Sequence, residues 1–226
     1  MVYVTGDTHG DFSRFKSRAA RRLRRGDTLI VLGDFGFIWD GSKKERSILK
    51  RLSKKKYNIL FLDGPHENYD MLRDIPISEW NGGRVQIIEG NLMHLLRGEI
   101  YNIENESYFV FGGGEGNDRD MRDEAKTWWE EEMPSAEQMQ NGLLSLEKHG
   151  NKVDYILTHE YPGRGAGFFG TTGRKNGLNA YLGLIASEVE YKQWYVGSLH
   201  IDRSLSKRLH AVFQQIRPVN SAIDKR

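Results

Sequence analysis

Short apolar runs alternate with amphipathic stretches in the first part of the chain. Buried strands are predicted at 2–5, 28–32 and 58–62, where each apolar run ends in polar turn residues. Helices are predicted at 12–25 and 43–56, where Ala, Leu and Ile recur at helical spacing among Lys and Arg. This alternation indicates an α/β sheet with helices packed on its faces.

The later part of the chain is richer in strands. Runs at 84–88, 99–103 and 107–111 follow one another with little helix between them, which favours antiparallel neighbours. A helix is predicted from about 135 to 148, because Ser135 can cap its first turn. The remaining predicted elements are strands at 153–158, 193–197 and 210–216 and a helix at about 176–189. The irregular stretch 112–134 is expected to form a functional loop or lid with a short helix.

Composition limits the class of protein. The chain has 226 residues, 38% of them hydrophobic, and we expect one domain spanning 1–226. No apolar run approaches the roughly 18 residues of a membrane span, and no signal peptide is recognisable at the N-terminus. We therefore expect a cytoplasmic protein with no membrane association. Because there is no cysteine, any metal must be held by His, carboxylate or amide ligands.

Charge is distributed unevenly. Residues 1–60 carry 15 Lys and Arg against 6 Asp and Glu, whereas the remainder carries 18 against 25. We interpret the basic surplus as the solvated outer faces of the helices at 12–25 and 43–56. A nucleic-acid surface is possible but less favoured, because no aromatic residue interleaves with these charges as a stacking platform.

Groups suited to metal binding follow five of the predicted strands. They are Asp7 and His9 in "GDTHG", Asp34 in "GDFG", His66 in "DGPHEN", His159, and His200 in "SLHID". Ligand sites of open α/β sheets lie beyond the carboxyl ends of the strands, so we expect these side chains to converge there. The other histidines, His94, His149 and His210, lack this position and are expected to be structural or exposed.

The order of these residues resembles the calcineurin-like metallophosphoesterase superfamily, in its bacterial form. The family pattern is Asp-x-His, Gly-Asp, Gly-Asn-His, a lone His and Gly-His-x-His, each at a strand end. The resemblance runs from Asp7 to His200 and implies an α/β (α+β) fold of two packed mixed β-sheets flanked by helices, a four-layer sandwich. It also implies a divalent metal cofactor (Mn, Fe, Zn or Ni), with two ions about 4 Å apart.

The resemblance assigns ligands to each metal ion. For the first ion the implied ligands are Asp7, His9, Asp34 and His200. The second ion would share Asp34 and keep His159, but the family's Asn is Pro65 here and the first His of Gly-His-x-His is Ser198. We therefore expect one tightly held ion and a second that is weak, displaced or bound only with substrate. Water, substrate oxygens or the neighbouring carboxylates of Glu160, Asp63 and Glu67 are the alternatives for filling the open positions.

The resemblance also implies roles for other side chains. His66 matches the family position that assists the leaving group, so the expected catalytic residues are His66 and Asp34. Arg119 and Arg122 are candidates for binding substrate phosphate, or else surface charges or partners of Asp118 and Asp120. A protein phosphatase is not favoured, because "GDFGFIWDG" lacks the phosphate-gripping arginine of that class.

The expected function is a metal-dependent phosphoesterase acting on a phosphomonoester or phosphodiester, with a small phosphate ester or nucleotide as substrate. One alternative is a degenerate member that binds a phosphorylated ligand, a nucleotide or a protein without turnover. A nuclease that holds nucleic acid on the basic N-terminal face is a third hypothesis. The pattern of residues leaves the oligomeric state open.

Overall fold

Two β-sheets form the centre of the molecule. The computed structural model describes residues 1–116, 118–163 and 176–220, with the side chain of Arg119 also outside the description. Its strands are β1 (Val2–Thr5), β2 (Thr28–Val31), β3 (Asn58–Phe61), β4 (Ile77–Trp80), β5 (Gly83–Glu89), β6 (Leu92–Leu95), β7 (Ile100–Ile103), β8 (Glu106–Phe111), β9 (Tyr155–Thr158), β10 (Gln193–Val196), β11 (Arg203–Ser204), β12 (Leu209–Ala211) and β13 (Arg217–Pro218). Its helices are α1 (Arg18–Arg22), α2 (Lys43–Leu52), α3 (Tyr69–Arg73), α4 (Arg119–Glu124), α5 (Ala136–Lys148) and α6 (Gly177–Glu188).

Both sheets are mixed. The first has the order β13-β1-β2-β3-β6-β5-β4, and the second has the order β11-β12-β10-β9-β8-β7. Strands β1, β2, β3 and β6 run parallel to one another, and so do β8, β9, β10 and β12. Parallel strands direct their carboxyl ends to the same edge of a sheet, which is where the candidate ligands lie.

Three apolar clusters produce four layers. Ile30 and Leu32 contribute to the cluster between the sheets. Leu29 and Val31 alternate with Ile30 and Leu32 along the chain and so face the other side of the sheet. They contribute to the cluster that includes Leu49 of α2. A third cluster lies between the second sheet and helices α5 and α6. The central strands are therefore buried on both faces, which explains why they appear in the sequence as continuous apolar runs. The predicted fold is confirmed.

Several predicted elements differ from the structure. The helix predicted at 12–25 is reduced to a 3₁₀ turn at Arg14–Lys16 followed by α1, because Ser17 is extended between them and caps α1 through Ala20 N. Strands β4 and β6 were not predicted, since "ISEW" and "LMHL" are four residues long and carry no distinctive alternation. No helix of the described residues is long and apolar enough to cross a membrane.

Candidate metal centre

Six side chains from five loops meet at the carboxyl edge of both sheets. Asp7 and His9 follow β1, Asp34 follows β2, His66 follows β3, His159 follows β9 and His200 follows β10. Among the described residues they form three groups whose ligand atoms lie within 4.8 Å of one another: Asp7–His9–His200, His9–Asp34–His66 and Asp7–Asp34–His159. The loops after neighbouring parallel strands therefore bring together all six residues that the sequence analysis selected.

The side-chain nitrogen and oxygen atoms of the first group lie close to one another. His200 Nε2 lies 2.8 Å from Asp7 Oδ2 and 3.2 Å from His9 Nε2. His9 Nε2 in turn lies 3.8 Å from Asp34 Oδ2. Two imidazole nitrogens and two carboxylates at such distances form the donor set that divalent transition metals prefer.

Asp7 supplies a direct test of whether a cation fits. Its side chain is 1% exposed. Its buried Oδ1 atom has no hydrogen-bond partner among the described residues, and His159 Nδ1 lies 3.5 Å from it. A buried carboxylate oxygen without a partner is rare because the desolvation cost is uncompensated. A bound divalent cation would compensate it, so the residues present fit a metal ion at this point.

The backbone is strained where three candidate ligands attach. His9, Asp34 and His200 have φ angles of +44°, +42° and +50°, a left-handed conformation that costs a non-glycine residue roughly 1–2 kcal/mol. Backbone hydrogen bonds hold these loops, since Thr8 N and His9 N both donate to Asp34 O at 3.0 and 2.8 Å. Three of the eight non-glycine residues with positive φ among the described residues thus belong to this one site, and strained backbone is common at functional sites.

Close packing between the two sheets positions His159. Its Nδ1 atom lies 3.1 Å from the carbonyl oxygen of Leu32, at the end of the neighbouring sheet. A Cβ atom on Gly33 would lie 2.0 Å from the same nitrogen, so only glycine leaves room for the ring.

The charges within the centre are strongly coupled. Burial raises the pKa of Asp7 and of Asp34. The imidazole of His159, together with hydrogen bonds from His200 to Asp7 and from His66 to Asp34, outweighs burial and holds both pKa values below their ordinary values. Burial lowers the pKa of His159, but Asp7 and Asp34 reverse the effect and raise it to about 10. An imidazolium therefore balances the two carboxylates, and a metal ion that took His159 as a ligand would have to displace its proton.

The site expected for a second ion lacks some of its ligands. Pro65 offers no ligating side chain, and the buried Ser198 Oγ has no hydrogen-bond partner among the described residues. The carboxylates suggested as replacements are engaged elsewhere. Asp63 is fully buried and paired with Arg97, and Glu67 accepts hydrogen bonds from Phe35 N at 2.6 Å and Gly36 N at 3.3 Å.

Glu160, the third suggested replacement, adjoins His159 but is also engaged. It accepts a hydrogen bond from Asn179 Nδ2 at 3.3 Å. Burial raises its pKa, which opposes the charged form that a metal ligand requires. Neither Asp63, Glu67 nor Glu160 belongs to a metal-suited group of the described residues.

His66 lies between two carboxylates. Its backbone N–H and Nδ1 contact Asp34 at 2.8 and 2.7 Å, and its Nε2 lies 3.1 Å from Asp118 Oδ2. Hydrogen bonding to Asp34 outweighs burial, and with Asp118 it raises the pKa of His66 to about 9. Asp118 was not predicted to belong to the site, since the only signal in the sequence was an acidic and a basic residue, Asp118 and Arg122, four positions apart in an irregular stretch.

The guanidinium of Arg122 is engaged by other protein groups and is not free to bind a substrate phosphate. Its guanidinium pairs with Glu132 and with Asp118 at 2.8 Å from Nε, and it donates to the carbonyl of Pro65 at 2.8 Å. The side chain is 7% exposed. Arg122 therefore fixes the loop that carries Asp118. This agrees with the alternative given for it above, that it is a partner of Asp118 and not a substrate-binding residue. The side chain of Arg119 lies outside the described residues.

The remaining histidines lie outside the centre. His94 is buried between Gln86 and Asp63, His210 bonds Gln193 at 2.6 Å, and His149 is exposed. Their structural or exposed character is as expected from the absence of a strand-end position.

Comparison with known protein families identifies a relationship. The family model described as calcineurin-like phosphoesterase matches residues 1–183, a span that contains Asp7, His9, Asp34, His66 and His159 and ends before His200. No curated protein matches the chain significantly.

Proposed function

The chain belongs to the calcineurin-like phosphoesterase family, whose members use divalent metal ions, and on that premise we propose that it hydrolyses a phosphomonoester or phosphodiester. The observation that carries this proposal is the convergence of Asp7, His9 and His200, whose ligand atoms lie within 4.8 Å of one another. When bound, a divalent ion supplies Lewis acidity and lowers the pKa of a coordinated water. In our proposal Asp7, His9, Asp34 and His200 hold this ion tightly.

We assign His66 to the leaving group. With a pKa of about 9 it carries a proton at neutral pH, so it can donate to the ester oxygen as the bond to phosphorus breaks. Asp118 accepts a hydrogen bond from His66 on the side opposite Asp34 and orients the ring. Asp34 is thus proposed both as a metal ligand and as the hydrogen-bond acceptor that orients His66 through Nδ1.

The second ion is proposed to bind weakly or only with substrate. Asp34 and His159 remain as ligands, whereas Pro65 and Ser198 contribute no carboxylate or imidazole. This loss also supports the alternative function, a degenerate family member that binds a phosphorylated or nucleotide ligand without turnover.

Two measurements test these proposals. Calorimetric titration with Mn²⁺ should give one tight site, and two equally tight sites would contradict the assignment. Hydrolysis of an aryl phosphate and a bis-aryl phosphate should require added metal and should be lost in Asp34→Asn. No turnover with any of Mn²⁺, Fe²⁺, Zn²⁺ or Ni²⁺, together with saturable ligand binding, would establish the alternative.

A further inference from the structure

Helices α1 and α2 carry a concentration of positive charge that the metal centre does not use. They connect β1 to β2 and β2 to β3, and they pack on the same face of the first sheet, where Leu23 and Leu52 share one apolar cluster. Four cationic residues of these helices and their flanking segments form what we name the basic patch: Lys16, Arg21, Arg51 and Lys55. Three of its four side chains are exposed, and Lys55 is half-buried.

The cations of the basic patch are close together. Lys16 Nζ, Arg51 Cζ and Lys55 Nζ lie 4.9, 4.4 and 5.8 Å from the centre of the Phe12 ring. Burial lowers the pKa of Lys55, and the positive charges of Arg51, Arg21 and Lys16 lower it further. The four groups therefore repel one another. Lys16, Arg21 and Arg51 are exposed to solvent, and the Lys55 ammonium donates a hydrogen bond to the carbonyl oxygen of Phe15 at 2.8 Å.

No internal carboxylate neutralises this charge. Among the described residues, none of the fifteen Lys and Arg side chains between positions 14 and 56 has a carboxylate within salt-bridge distance, whereas Arg73, Arg84, Arg97, Arg122, Lys152 and Lys192 in the rest of the chain do. The six acidic residues of the first sixty all have other tasks: Asp7 and Asp34 in the metal centre, and Asp11, Asp27, Asp40 and Glu45 as acceptors for backbone N–H groups.

An extended polyanion would satisfy such a surface. We propose that the basic patch binds the phosphate backbone of double-stranded nucleic acid. The charge is arranged on the outer faces of two helices and is unpaired, which is the electrostatic footprint of sequence-independent backbone binding. Binding of this kind needs neither a metal ion nor hydrolysis, so it does not rest on the proposed function.

Two other anionic surfaces fit less well. A membrane-binding face requires large apolar side chains for insertion, and the exposed large hydrophobic residues of the described chain all lie outside positions 14–56. A single strand requires an open aromatic platform for its bases, but the Phe12 ring is covered by the Arg51 guanidinium. The sequence-based objection to nucleic acid concerned stacking, and it does not apply to a duplex held by its phosphates.

The basic patch is connected to the metal centre through a short loop. Phe12 follows His9 by three residues, so their Cα atoms are at most about 11 Å apart. The loop that carries Asp7 and His9 thus leads directly into the patch.

The test measures binding of a fluorescein-labelled 20-base-pair DNA duplex by anisotropy in EDTA, from 25 to 300 mM KCl. EDTA excludes metal-dependent cleavage, so the result is independent of the proposed hydrolysis. We expect a linear fall of log K with log salt, and four phosphate contacts correspond to a loss of about 100-fold in affinity between 50 and 200 mM.

Two variants of equal net charge separate location from total charge. The patch variant is Lys16→Gln, Arg21→Gln, Arg51→Gln, Lys55→Gln, and the control variant carries Lys→Gln at the exposed positions 126, 148, 152 and 207. We expect the patch variant to lose most of the salt dependence and the control variant to retain it. Arg21→Gln alone, which leaves the Phe12 contacts intact, should reduce the slope by about 0.9 and guards against a folding defect in the fourfold variant.

Several outcomes would overturn the proposal. Equal losses in the patch and control variants would reduce the effect to net charge. Absence of duplex binding at 25 mM KCl would reject it, and so would binding of anionic vesicles without binding of duplex. Affinity for a single strand tenfold above that for the duplex would show that base stacking, and not the duplex backbone, is recognised.

Discussion

Replacing Gly64 by alanine perturbs the metal centre through Asp34 without altering a ligand. A Cβ atom at this position would lie 2.3 Å from Asp34 Oδ1 and 2.7 Å from the Asp34 backbone nitrogen. Ordinary van der Waals contacts begin at 3.4 Å, so the carboxylate oxygen would have to move away from the new Cβ atom by about 1.1 Å. Rotation of the Asp34 side chain cannot relieve the second contact, because it involves the backbone.

The size of this displacement sets the expected effect. Metal–ligand distances tolerate changes of only about 0.2 Å, so we expect Gly64→Ala to weaken Mn²⁺ binding by at least about tenfold. Overpacking of a closely packed position costs typically about 1–3 kcal/mol, which should lower the free energy of unfolding even without metal. Neighbouring Asp63 is fixed by its buried pair with Arg97, so the chain has little freedom to move away.

Calorimetric titration with Mn²⁺ and urea unfolding in EDTA measure the two effects separately. Gly177→Ala is the matched control, since a Cβ there would meet no atom of the described residues within 4 Å and the residue begins α6. The control should bind Mn²⁺ as the wild type does. Unchanged Mn²⁺ affinity in Gly64→Ala, with the protein folded, would refute the assignment of Asp34 as a ligand held by this close contact.

Three further predictions concern paired charges. Arg97→Met should lower the free energy of unfolding by about 3–5 kcal/mol in urea at pH 7.5, because Asp63 is left charged and buried. Arg97 holds the pKa of Asp63 well below its ordinary value despite burial, so this pair stabilises the fold above about pH 4 and its contribution is lost on acidification. Asp63→Asn should therefore flatten the acid limb of the stability curve. Asp118→Asn should slow hydrolysis of an alkyl phosphate at least about tenfold but barely affect a nitrophenyl ester, because only a poor leaving group needs the His66 proton.

Each of these predictions has a matched control. Arg84 forms an exposed ion pair with Glu99, and Arg84→Met should cost no more than about 1 kcal/mol; equal losses in the two arginine variants would contradict the burial argument. An acid limb of unchanged steepness in Asp63→Asn would contradict the linkage. Asp120 lies in the first turn of α4, and a leaving-group-dependent effect of Asp120→Asn equal to that of Asp118→Asn would remove Asp118 from its positioning role.

The strand ends that are followed by metal-binding Asp and His residues could be predicted from the sequence. Strands β1, β2, β3, β9 and β10 are buried on both faces, so they appear as apolar runs that end abruptly in polar residues. The fold places parallel strands with their carboxyl ends at one edge, and the same ordered series of Asp and His predicted both the fold and the candidate ligands. The predicted helix at 12–25 was too long, since helical periodicity does not reveal that Ser17 interrupts it with an extended residue and begins α1.

The pairing of polar groups became evident in the folded molecule alone. Asp63 and Glu67 adjoin His66 in sequence, yet one is committed to Arg97 and the other to backbone N–H groups of the Asp34 loop. Asp118 lies 52 residues after His66 and is its hydrogen-bond partner. Local pattern specifies where a chain turns and which face it buries, because these depend on neighbouring residues. Pairing of buried charges depends on how distant segments pack, and that information is present only in the folded molecule.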